Sequence, residues 1–137
     1  MSYQFAGFFA APDVPEPKSL PPGGVWREIA KPFVGVGLRI PECIGKSPEP
    51  GLVVSLAQEL GIASSSNWLY VTYDCWAGEI DFIYGIGSRD AITFGPIETS
   101  DSSQIKSFYT SLMQHFGVNE ADAFQFAPFE RGFWGEA

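Results

Sequence analysis

The residue types most able to bind or react gather in residues 68–86, where acids and aromatics are interleaved with apolar residues. Neighbouring carboxylates can hold a cation or share a proton. Tryptophan and tyrosine beside acids are typical of surfaces that bind other proteins. The sequence therefore predicts a ligand or partner surface formed by Trp68, Tyr70, Asp74, Trp76, Glu79 and Asp81.

A catalytic centre has little support in the sequence. Nucleophilic catalysis requires a base beside the nucleophile. The single histidine, His115, falls near the end of an amphipathic stretch, where its charge suits the helix dipole. Metalloprotease, EF-hand and phosphate-loop motifs are missing. We therefore expect a protein that is not an enzyme and that needs no metal or other cofactor.

Two runs, residues 68–75 and 79–86, predict the strands of a β-hairpin with a turn at Ala77 and Gly78. A two-residue or a four-residue loop would place one set of side chains on the same face. These are Leu69, Val71, Tyr73, Ile80, Phe82 and Tyr84. We expect this face to be the core side, and only a three-residue loop with a bulge would break its pairing.

The opposite face of the hairpin carries most of the predicted surface, and two interpretations of it are open. It packs under a helix or under the aromatic residues of segment 124–134, or it binds a partner. In either favoured register Trp68 lies opposite Gly85 or Gly87. Trp76 is expected to be exposed at the hairpin tip, where it would anchor a partner.

Asp74 is expected to lie directly across from Asp81 or Glu79, whichever of the two registers forms. Like charges in such a pair repel unless water screens them, a cation bridges them or one carboxyl holds a proton. A flat pair of strands offers fewer oxygens than the roughly six to eight that calcium takes. We therefore favour solvated acids over a metal site.

The rest of the chain predicts an α+β domain. Segments with β character lie near Tyr3, Phe33, Trp68, Ile80 and Ile92. Helical periodicity covers residues 48–60 and 102–116. Short turns between successive strands favour antiparallel pairing, and Pro96 limits the last strand to an edge. We expect one domain over residues 1–137, with a mostly antiparallel sheet of about five strands and two helices packed on it.

The two predicted helices carry their own start signals. Ser47 is the expected N-cap of the first helix, and Asp101 with Gln104 makes an approximate capping box for the second. Phe108 and Leu112 lie on the apolar stripe of the second helix. We expect both of these side chains to be buried.

Residues 11–24 form a proline-rich connecting loop. Such a segment can serve as a proline-rich ligand or as a lid over a site. We favour a solvated connector, because Asp13 and Glu16 replace the basic residues usual beside such ligands.

Charge and hydropathy exclude two classes of partner. The chain has 16 acidic and 8 basic residues, a net charge of −8, and its basic residues are scattered singly. Phosphates would find no basic patch, so nucleic acid is not expected. No apolar run reaches the roughly 18 residues of a membrane span. We therefore expect a cytoplasmic protein that has no membrane partner.

From residue 33 onwards the predicted order of strand, helix, three strands and helix resembles that of small effector-binding domains. The gyrase-inhibitor-like family typifies these domains. The resemblance covers residues 33–129 and lies in element order. It implies an aromatic-lined ligand cleft on a sheet, often with a buried glutamate.

Two functions are expected from these features. The first is a non-catalytic protein that presents an acidic, aromatic surface to a protein partner, as an antagonist or immunity-type protein does. The second is a small-molecule-binding module in which the same face forms a cleft. In that case Glu79 or Asp81 would meet a cationic ligand.

Overall fold

The computed structural model describes residues 2–30, 34–44, 46, 48–62, 67–76, 79–90, 92–101, 103–119 and 121. Side chains are described for all of these except residues 2, 3, 75, 76 and 79–81. The aromatic segment 124–134, whose docking on the domain is predicted, lies outside the described residues.

Within these residues, six strands form one antiparallel sheet, and two α-helices accompany it. In chain order the elements are β1 (Ser2–Ala10), β2 (Val25–Ile29), β3 (Gly35–Arg39), a short 3-10 helix (Pro41–Cys43), α1 (Pro50–Glu59), β4 (Trp68–Trp76), β5 (Glu79–Arg89), β6 (Ile92–Thr99) and α2 (Ile105–Phe116). The strand order across the sheet is β2-β3-β1-β4-β5-β6. The predicted α+β class is confirmed, and β2 is the strand beyond the expected five.

The sheet buries residues on both faces, and each face has a helix. The α2-side core contains Phe5, Phe9, Leu69, Val71, Tyr73 and Ile83, with Tyr109, Leu112 and Met113 from α2. The α1-side core contains Phe8, Leu38, Trp68, Tyr70, Tyr84 and Ile86, with Val53 and Ala57 from α1. Alternate residues of β1 and β4 enter different cores, because side chains alternate along a strand. Both faces of the hairpin are therefore core faces.

A bulge near the tip sets the register of the β4–β5 hairpin. Trp76 pairs with Glu79, but the register shifts between Asp74 and Cys75, and Asp74 pairs with Phe82. At the bulge β5 has one residue more than β4. From the bulge to the open end of the hairpin, each β5 side chain therefore lies on the opposite face from the one that an unbulged hairpin would give it.

The bulge overturns the predicted grouping of side chains. Tyr73 pairs with Ile83 in the α2-side core, whereas Tyr84 enters the α1-side core. The predicted position of Trp68 opposite a glycine is also wrong, because it pairs with Ser88. In each case the residue on β5 is shifted by the bulge.

Both predicted helices form, but their starts differ from the prediction. The N-cap of α1 is Glu49, and Ser47 lies outside the described residues. Before α2, Asp101 Oδ1 accepts hydrogen bonds from the backbone N–H of Ser103 at 2.9 Å and its hydroxyl at 2.7 Å. These bonds lower the pKa of Asp101. Within the described parts of the chain, no helix is long and apolar enough to cross a membrane.

Helix α2 lies close to β5 at Gly85. A Cβ atom added to Gly85 would lie 2.4 Å from Leu112 Cδ2, so only glycine leaves room for this leucine. Leu112 is fully buried, as predicted, whereas Phe108 is half-buried. Next to β5, the strand β6 forms one edge of the sheet, as Pro96 predicts.

Candidate functional site

Two residues of the predicted surface, Trp68 and Tyr70, lie inside the α1-side core. Their exposed fractions are 4% and 1%. Both rings lie beside Phe8, with ring centroids 5.9 Å and 5.1 Å from it. The hairpin face that carries them is therefore an inner face rather than an outward one, and the helix-packed interpretation describes both residues.

Asp74 lies at the margin of the same face and is half-buried. Its Oδ1 accepts a hydrogen bond from Gln4 Nε2 at 3.2 Å, and its neighbour across the hairpin is Phe82. The predicted opposition of Asp74 to Asp81 or Glu79 is wrong, because the bulge shifts the register. Among the described residues, no group of three or more His, Cys, Asp or Glu side chains is arranged to hold a metal.

The other three predicted surface residues lie at the hairpin tip. The backbone of Trp76 pairs with that of Glu79 at the ends of β4 and β5, and Asp81 follows on β5. Their side chains are outside the described part of the structure. The prediction that Trp76 is an exposed anchor stays a prediction.

Thr72 Oγ1 is buried in the α1-side face without a hydrogen-bond partner among the described residues. The buried Tyr70 hydroxyl lies beside the Cys43 thiol. Burial raises the pKa of Tyr70, and the neighbouring Cys43 thiol raises it further. Burial also raises the pKa of Cys43, so its thiol is protonated at neutral pH and is a poor nucleophile.

Replacing Thr72 with valine should stabilise the fold. Thr72 is fully buried, and valine has nearly the same shape without the unpartnered hydroxyl. We expect Thr72→Val to raise the free energy of unfolding by about 1–3 kcal/mol, measured by urea denaturation. The control is Thr110→Val, since Thr110 is half-buried in α2. This substitution should change the free energy of unfolding by less than about 0.5 kcal/mol. Destabilisation by Thr72→Val would show that the hydroxyl has a partner.

The single histidine has structural contacts in α2. His115 Nδ1 lies 2.8 Å from the backbone oxygen of Ser111, one turn earlier in the helix. Its ring stacks on Phe94 with centroids 4.9 Å apart. These contacts hold the imidazole at the end of the helix.

An open concave site lies at the β2 edge of the sheet, opposite β6. A cavity of about 810 Å³ lies between the segment that follows β1 and the strands β2 and β3. It is lined by Pro12, Asp13, Val14, Pro15, Glu16, Trp26, Arg27, Glu28 and Val36. We call this site the acidic groove.

The walls of the acidic groove are anchored in the α1-side core. Trp26 pairs with Leu38 and packs on that core while remaining half-exposed. Val14 is only 4% exposed, and its backbone N–H donates to the Ala11 carbonyl at 3.2 Å. The Ala11 N–H in turn donates to Asn67 at 3.3 Å. One wall of the groove is therefore the sheet, and the other is the segment 12–16, which these hydrogen bonds hold in place.

The charge of the acidic groove is negative. Asp13, Glu16 and Glu28 are exposed carboxylates, and Arg27 is the cation among the lining residues. The half-exposed ring of Trp26 adds an apolar surface that can stack on a guanidinium or ammonium group. The groove therefore suits a ligand with several positive charges and an apolar part.

The sequence predicts an acidic, aromatic surface on the hairpin. It predicts a solvated connector for residues 11–24, whereas residues 12–16 of this segment line the groove. A usable signal was present, since Asp13 and Glu16 lie in the same segment that leads through a glycine turn to Trp26. What the sequence could not display is the long-range pairing of β1, β3 and β2 that brings this loop beside Trp26.

Comparisons with protein families, with curated proteins and with solved structures give no match. The resemblance to effector-binding domains is therefore limited to the order of helices and strands.

Proposed function

We propose that this protein is a non-catalytic binding protein whose acidic groove receives a basic segment of a protein partner. The observation that carries the proposal is the joint presence of Trp26 and three carboxylates in one groove. Tryptophan in a desolvated pocket is the residue type that most often dominates binding energy. Complementary charge around it steers the partner and excludes acidic competitors.

The number of charges favours a polypeptide over a small cation. A monovalent ligand would neutralise one carboxylate and leave the others repelling each other across the groove. A segment with several Lys or Arg residues can meet Asp13, Glu16 and Glu28 together. The net charge of −8 adds long-range attraction for such a segment.

A small quaternary ammonium ion is the second candidate ligand. The half-exposed ring of Trp26 favours it, because such ions bind to aromatic faces. Tetramethylammonium can therefore be used as the competing probe in the same experiment.

The free cysteine supports the proposed location. Cys43 is a half-buried thiol without a disulfide partner. Free thiols are typical of reducing compartments. We therefore propose that the protein and its partner are cytoplasmic.

Calorimetry with a basic peptide tests the proposal. The probe is a peptide of about eight residues that alternates lysine and threonine, at about 0.15 M salt. We expect it to bind the wild type, and we expect Asp13→Asn/Glu16→Gln/Glu28→Gln to weaken binding roughly ten- to a hundredfold. Each exposed ion pair contributes about 0.5–1 kcal/mol, or a factor of two to five.

The matched control removes the same number of charges elsewhere. Glu42→Gln/Glu59→Gln/Glu98→Gln changes exposed acids outside the groove and should weaken binding less than twofold. Equal losses in the two variants would mean diffuse attraction and would contradict the proposal. Tighter binding of tetramethylammonium than of the peptide would favour the second candidate.

A further inference from the structure

The two edges of the sheet differ in how open they are to another strand. At the β6 edge, Pro96 lacks an N–H, and the pairing of β5 with β6 is irregular between Gly85 and Gly87. Proline and irregular pairing both protect an edge from strand addition. At the other edge, β2 contains no proline and pairs with β3 without a register shift. Among the described residues, no strand pairs with the outer side of β2.

The acidic groove borders this open edge. Trp26 and Glu28 project from the α1-side face of the sheet, and Arg27 lies between them on β2. All three residues line the groove. Because the groove follows three consecutive residues of an outer strand, a ligand in it lies next to the edge that β2 leaves open.

We propose that the partner binds as an added β-strand on the outer edge of β2. This inference rests on the proposed function and specifies its mode: the occupant is an extended segment with Lys or Arg at every second position. Its backbone pairs with residues 25–29, and its basic side chains project towards Asp13, Glu16 and Glu28. Edge pairing gives affinity through main-chain hydrogen bonds, and alternate side chains give specificity.

The charged residues of β2 protect its open edge from nonspecific strand addition. Arg27 and Glu28 are exposed on a five-residue strand. Short edge strands with charged side chains discourage pairing with apolar strands. A basic strand is admitted because its charges are complementary to the acidic groove, whereas an apolar or acidic strand leaves the carboxylates unpaired or repelled.

Backbone methylation of the peptide separates strand addition from simple charge attraction. In a strand, alternate N–H groups point to the same side. Two versions of the lysine–threonine peptide are therefore compared with the parent, one N-methylated at every lysine and one at every threonine. Only one version keeps its hydrogen-bonding edge free to pair with β2. We expect that version to bind within about threefold of the parent and the other to bind at least tenfold more weakly, because several main-chain hydrogen bonds are lost.

The outcomes distinguish this inference from the proposed function. Equal affinities of the two methylated peptides, whether both strong or both weak, would overturn strand addition. If both bind as well as the parent, the charge-based function of the groove still holds. Failure of the unmethylated parent to bind would overturn the proposed function and the inference together.

Discussion

Leu112→Ala is expected to lower the free energy of unfolding by about 2–5 kcal/mol. Leu112 is fully buried in the α2-side core and rests on Gly85, which has no side chain to fill the space that the leucine vacates. The substitution therefore removes buried apolar surface and leaves a cavity between α2 and β5. Urea denaturation followed by tryptophan fluorescence measures the loss.

Phe108→Ala is the control for this prediction. Phe108 lies one turn earlier in α2, but its side chain is half-buried at the edge of the same core. Its truncation leaves a shallow depression that water can fill, so we expect the free energy of unfolding to fall by about 1–2 kcal/mol. A loss from Phe108→Ala equal to or greater than that from Leu112→Ala would contradict the observed orientation of the helix.

Gly7→Ala is expected to be at least as damaging, with a loss above about 3 kcal/mol or failure to fold. A Cβ atom on Gly7 would lie 2.1 Å from the carbonyl oxygen of Leu38 and 3.0 Å from the ring of Phe5. The oxygen belongs to the backbone of β3, so relief requires β3 to move away from β1. Thermal unfolding monitored by circular dichroism measures the effect.

Gly51→Ala provides the matched glycine control. A Cβ atom on Gly51, in α1, would meet no atom within 4 Å. Alanine is also the better helix former by about 1 kcal/mol. We therefore expect Gly51→Ala to leave stability unchanged or to raise it by up to about 1 kcal/mol. A tolerated Gly7→Ala would mean that β1 and β3 are not paired as closely as described.

The elements could be predicted from sequence because their signals are local. Helical spacing and the left-handed stop at Gly117, where φ is 96°, predict α2. The aromatic and β-branched runs around Trp68 predict the hairpin. Both faces of β4 carry large apolar residues, Trp68 and Tyr70 on one and Leu69, Val71 and Tyr73 on the other, which is the pattern of a central strand that is buried on both sides. That pattern was available in the sequence and argues against an outward face.

The register of the hairpin could not be predicted, because one extra residue on β5 moves its side chains to the opposite face of the sheet. Nothing in the segment Glu79-Ile80-Asp81-Phe82 marks a bulge, yet the shift there decides that Asp74 faces Phe82 instead of an acid. The acidic groove was missed for a different reason. Its loop and its strand are joined by long-range pairing of β1 with β3 and of β3 with β2, which local patterns do not encode.

Amide chemical-shift mapping with the lysine–threonine peptide tests the central claim most directly. The labelled full chain is titrated with the peptide, and every backbone amide is followed. The acidic groove predicts that the largest shifts occur at Asp13, Val14 and Glu16, in residues 25–29 and at Val36, with little change in residues 74–82 or in α2. Largest shifts at the hairpin tip around Trp76 would contradict the account and return the binding surface to the hairpin.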